Sequence, residues 1–130
     1  MRRFAIVTTF AAIVGALALW QAPQAQAEEA KCGEKGQPNC PLQDWMEKHL
    51  QDAMDKNDLA AVGVSLEKVA AMVPDPKWND GATGWAKIAK DGAAAAKAGK
   101  ADEVKAACKS CHKAWRNQYK KNFRTRPVSG

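Results

Sequence analysis

Cys108, Lys109, Ser110, Cys111 and His112 form one uninterrupted run near the C-terminal end of the chain. The spacing Cys-x-x-Cys-His is that of c-type haem attachment. On a helix, positions three and four apart lie on one face. Cys108 and Cys111 could then reach two neighbouring vinyl groups on one porphyrin edge. His112, four residues after Cys108, could point a ring nitrogen at the iron as an axial ligand. Three other chemistries use similar residues. A thioredoxin-like redox pair needs the motif at a helix start beside a strand, and the surrounding pattern is helical. A structural zinc site needs a second ligand pair of suitable spacing, and Cys32 and Cys40 are too far apart in sequence for that role. A plain disulfide would leave His112 incidental. One covalent haem c is therefore the expected cofactor.

The chain opens as an export signal. Met1-Arg2-Arg3 is basic, Phe4 to Trp20 is apolar, and Ala25-Gln26-Ala27 is a small-x-small cleavage site. The apolar run is slightly short for a span of about 20 residues. Residues 1–27 thus read as a signal peptide cleaved near Ala27, which places the mature chain in the periplasm with no stable membrane insertion. Residues 28–40 are polar, contain two glycines and a proline, and read as a loop. In an oxidising compartment Cys32 and Cys40, which bracket much of that loop, are expected to form a disulfide.

Helix signals fill residues 41–123, and no strand signal interrupts them. Helix one starts near Pro41, which suits a first turn, and ends near Lys56-Asn57. Leu42, Trp45, Met46, Leu50, Ala53 and Met54 make its apolar stripe, with His49 on or beside it. Helix two begins at the N-cap Asp58, carries the seam Leu59, Val62, Leu66, Val69 and Val73, and stops at Pro74. Helix three is expected from about Asn79 to Ala98, with Trp85, Ile88, Ala89 and Gly92 facing inward and Gly99 as a stop signal. Helix four is expected from about Ala101 to Phe123, acidic in its first turn and basic in its last. Its inner face takes in Val104, Ala107 or Cys108, Cys111 or His112, Trp115, Tyr119 and Asn122 or Phe123. Residues 124–130 read as a frayed tail. Four such helices with short connections predict an all-α, antiparallel four-helix bundle whose C-terminal helix attaches the haem.

A single haem motif on the last of four helices resembles the cytochrome c-prime family of class II c-type cytochromes. That family's motif continues with an aromatic residue three positions after the histidine and a basic one four positions after it. Here these are Trp115 and Arg116, although Phe or Tyr is usual where this chain has Trp115. The resemblance implies a four-helix bundle with the distal side of the haem facing helix one. It also implies either an open distal side or a sixth ligand from that helix. Met46 is the expected sixth ligand and His49 the alternative, with Met54 a more remote choice. Trp115 and Arg116 are candidates for the haem environment. The Cys32/Cys40 loop is an addition to the family pattern.

The full chain has a formal net charge of +6, and removing Arg2 and Arg3 takes it to +4. The basic residues are spread along the chain, with a denser block from Lys113 to Arg126. Such a run is usually a solvated helix face. Its functional reading in an exported protein is to steer an acidic protein partner or meet a membrane surface rather than nucleic acid. The expected function is single-electron transfer to a redox partner protein by a periplasmic monohaem cytochrome. The runner-up is capture of a small gas, nitric oxide or carbon monoxide, at an open iron. An enzymatic role such as that of a peroxidase needs distal acid–base residues. Only His49 could serve, so no enzyme activity is expected. Self-association into a homodimer is left open.

Overall fold

The computed structural model describes residues 31–129; the expected signal peptide lies outside them, as do residues 28–30 and Gly130. Among the described residues every regular element is helical. The first helical segment is continuous but not uniform. It consists of α1 (Pro41–Met46), a π-helical turn (Glu47–Gln51) and α2 (Asp52–Asp55). In the π turn the backbone N–H of Asp52 reaches back to Glu47 O, five residues away. The wider turn shifts the apolar stripe. Trp45 and Leu50 are both buried although five residues apart, and His49 is turned out and exposed.

α3 (Leu59–Ala71) starts where Asp58 caps it, its carboxylate accepting the Ala61 N–H at 3.0 Å. A short 3-10 turn follows at Pro76–Asn79, capped by Asp75, which accepts the Lys77 N–H at 2.9 Å. α4 (Trp85–Lys97) begins six residues after the Asn79 expected from sequence. The reason is local. Asn79 Oδ1 accepts the Ala86 N–H at 3.0 Å and so caps α4 from outside it. The chain folds back so tightly that a Cβ on Gly84 would lie 2.5 Å from Asn79 O. α5 (Ala101–Asn122) follows Gly99, whose φ of 73° suits the reversal.

α4 packs against both α3 and α5, and the π turn packs on α3. The first segment has no comparable backbone interface with α5, so that flank of the helical array is open. α4 comes close to its neighbours because Gly92 lacks a side chain. A Cβ there would stand 3.1 Å from both Ala107 Cβ and Leu66 Cδ1. Val62, Val69 and Val104 are wholly buried at the centre. Trp85 closes one end of the core and donates its indole N–H to Val69 O at 2.7 Å. Around it Trp78 stacks on Trp115 with centroids 4.7 Å apart and meets Phe123 edge-on at 5.4 Å.

The two terminal stretches meet. Cys32 and Cys40 form a disulfide with a Cα–Cα separation of 4.9 Å. Arg124 pairs with Glu34 of that loop at 3.3 Å. Arg126 donates to Met72 O at 2.8 Å, and Val128 packs against the core. The tail expected to fray is therefore docked as far as Val128. Its guanidinium groups find a carboxylate and a helix-end carbonyl, where cations are favoured.

Candidate functional site

α5 carries Cys108, Cys111 and His112 on one side, and all three border a single narrow cleft with a cavity volume of about 30 Å³. That is room for about one water molecule, well below the roughly 300–1,000 Å³ common for ligand pockets. Ala107 continues this wall, Leu66 and Val69 of α3 form the floor with Ile88 and Ala89 of α4, and Met46 and Leu50 of the first segment form the facing wall. The lining is almost wholly apolar apart from the two thiols and the imidazole. The cleft lies at the flank where the first segment and α5 do not pack together.

Burial raises the Cys108 thiol above its ordinary pKa. It pushes the Cys111 thiol up to about 11, with Cys108 adding to the effect. Both thiols are thus held protonated at neutral pH, unlike the thiolates of redox-active pairs. His112 is shifted down by burial and then by the Arg116 charge, which favours the neutral imidazole able to donate a lone pair to a metal. Cys108 and Cys111 are free thiols. Among the described residues no group of three or more His, Cys, Asp or Glu side chains is placed to hold a metal ion by itself. The arrangement can therefore bond covalently through two sulfurs to an apolar group and offer one imidazole to a metal carried by that group.

Of the other residues singled out from sequence, Met46 is half-buried and borders the cleft opposite Cys108 and His112. His49 is exposed and lies against the Trp45 ring, with centroids 4.7 Å apart, and it does not line the cleft. Met54 packs against the core away from the cleft lining. Trp115 belongs to the aromatic cluster and donates its indole N–H to Thr83 O at 2.9 Å. Arg116 is exposed, four residues after His112. Leu50, Leu66 and Val69 form cleft walls that no residue-level reading assigned to the site. The signal existed in the seam of the second expected helix, whose Leu66 and Val69 border the same cleft as Cys108 and His112.

No family model, characterised protein or solved structure matches the chain.

Proposed function

We propose that the protein is a c-type monohaem cytochrome of the periplasm that transfers single electrons to a partner protein, with an antiparallel four-helix bundle of cytochrome c-prime type. The observation that carries this reading is the meeting of Cys108, Cys111 and His112 at an apolar cleft with Met46 on the facing wall. Pairings between element ends support the antiparallel order. The Trp85 ring at the start of α4 lies 6.0 Å from that of Tyr119 near the end of α5, and Arg126 reaches Met72 at the end of α3.

Cys108 and Cys111 would hold a haem through two thioethers, and His112 would offer its imidazole to the iron. Bound there, the haem supplies an iron centre that gains or loses one electron. Met46 would offer the iron a second protein ligand, because its flexible thioether borders the cleft whereas His49 is exposed and does not. Leu50, Leu66, Val69 and Ile88 exclude water, which disfavours the more highly charged oxidised centre. Leu50, which shares the Met46 wall, also favours a second reading: an apolar residue against an open iron would suit capture of nitric oxide or carbon monoxide.

The test is haem extraction from protein produced with a haem-attachment system. Acidified organic solvent should leave the haem on the wild-type chain, and Cys108→Ala combined with Cys111→Ala should abolish attachment. Freely extractable haem in the wild-type protein would overturn the proposal. The visible spectrum in both redox states separates the two functional readings: six-coordinate low-spin iron supports electron transfer, and five-coordinate iron supports gas capture.

A further inference from the structure

The charges of this chain are strongly segregated. Residues 31–103 hold ten Lys or Arg against twelve Asp or Glu, whereas residues 104–130 hold eight Lys or Arg and no acid at all. Elsewhere on the helices several exposed lysines are offset by neighbours, as in Lys48–Asp44 and Lys56–Asp52 at 2.7 Å and Lys87–Asp91 at 2.6 Å, while Lys68 and Lys90 stand singly outside any ion pair among the described residues. Along α5 beyond Lys105, which pairs with Asp102 at 3.8 Å, unpaired cations follow one another. Lys109, Lys113, Arg116 and Lys120 follow one another at steps of four, three and four and are all exposed. None of them belongs to an ion pair among the described residues. Those steps place them on one helical stripe. It extends over about 17 Å at 1.5 Å per residue.

Like charges at such spacings oppose helix stability, so the stripe has a local cost that the paired faces avoid. It runs beside His112, and the Arg116 charge is felt at that imidazole. The apolar face of α5 is already used in the core and the cleft, and the only large apolar residue more exposed than buried among those described is Val64, 55% exposed on α3. A membrane-lying helix needs a free apolar face to enter the lipid boundary, and α5 has none to offer. The complement this stripe lacks is a set of carboxylates.

We propose that the face of α5 bearing Lys109, Lys113, Arg116 and Lys120 is the docking surface for an acidic protein partner that presents a carboxylate-rich patch around its own redox centre. The inference rests on the proposed electron-transfer function and adds where the partner sits: on the haem-bearing helix, beside the proximal histidine. Docking through such a stripe is fast, transient and strongly dependent on salt.

The test titrates the haem-loaded full mature protein with poly-L-glutamate at low and at physiological ionic strength. Parallel titrations use phosphatidylcholine vesicles containing phosphatidylserine, and duplex DNA. Wild-type protein should bind polyglutamate, and binding should weaken as salt rises. Lys109→Gln with Lys113→Gln and Lys120→Gln should lower the affinity about tenfold or more, since each exposed charge contributes modestly and the three add. The matched control Lys48→Gln with Lys56→Gln and Lys87→Gln also removes three positive charges, but from paired sites, and should change affinity less than about twofold. All six substitutions are on exposed side chains, and retained helicity by circular dichroism confirms folding. Equal losses in the two triple variants would overturn the proposal, as would tighter binding to vesicles or DNA than to polyglutamate. The haem spectrum of each sample is read separately. Haem-loaded protein that ignores polyglutamate removes the docking surface alone. Haem-free protein that still binds through the stripe removes the electron-transfer reading instead.

Discussion

Met46 and His49 are three residues apart, yet they meet different surroundings. Met46 faces the thiols and imidazole of α5 across an apolar cleft, and His49 lies in solvent against Trp45. Replacing Met46 by Ala should therefore open the distal side, turn a low-spin iron high-spin and lower the reduction potential. His49→Ala should leave the visible spectrum unchanged. A spin change seen only in the His49 variant would reverse the assignment. Tyr119 gives an independent residue-level expectation. Burial raises its phenol above the ordinary value, with the nearby Arg126 charge partly opposing the shift. A group whose folded pKa lies above its unfolded one stabilises the fold below the unfolded pKa, and that contribution is lost as pH rises through the folded value. Stability should thus fall as pH climbs above about 10, the unperturbed tyrosine value. In Tyr119→Phe the alkaline fall should be shallower. Urea unfolding midpoints between neutral and strongly alkaline pH would measure both, and identical slopes would show that Tyr119 is not the titrating group.

At the scale of elements, close approach of helices depends on small residues. Gly92 leaves only 3.1 Å between an added Cβ and both Ala107 and Leu66. Gly92→Val would push a branched side chain into α3 and α5 at once and should cost about 1–3 kcal/mol, the usual range for overpacking. Thermal unfolding of the haem-loaded variant would show this as a lower Tm, and an unchanged Tm would mean that the contact relaxes freely. Gly92 was legible in sequence as a small residue on an inner face, as were the Asp58 cap, Pro41 at the first turn and the stop at Gly99. Each of these is a local rule with a local residue. The π turn was not legible, because Leu42, Trp45, Met46, Leu50 and Ala53 fit an ordinary helical stripe nearly as well. Only the backbone bond from Asp52 N–H to Glu47 O, five residues back, reveals the extra residue. The start of α4 was misplaced for a similar reason. Asn79 caps that helix across a loop rather than from its own first turn, and such a cap has no periodic signature. The tail was read as free because its partners, Glu34 and Met72, are remote in sequence.

At the scale of the whole molecule, the chain is closed at one end and open along one flank. The closed end joins the disulfide loop, the last residues and the aromatic cluster through Arg124–Glu34, Arg126–Met72 and the stack of Trp78 on Trp115. The open flank lies between the first segment and α5, where the thiols meet the cleft. The first segment is held by the disulfide loop before it, the short link to α3 after it, and its packing on α3. One further tie is Ser65, buried on α3, whose hydroxyl donates to His49 O at 3.2 Å. A haem bonded to α5 and contacting Met46 and Leu50 would add the missing side-chain interface and bury a large apolar surface in a domain of modest core. Loss of attachment should then loosen the molecule unevenly. In the Cys108→Ala, Cys111→Ala protein, amide hydrogens of residues 41–55 should exchange much faster than in the haem-loaded protein. Those of α3 and α4, which pack on each other and include the wholly buried Val62 and Val69, should be the slowest in both forms. Hydrogen exchange read by mass spectrometry after peptide digestion resolves the two regions. Equal acceleration throughout would mean that the haem supports the fold as a single cooperative unit. Unchanged exchange in the first segment would mean that α3 alone holds it, and that the open flank needs nothing to close it.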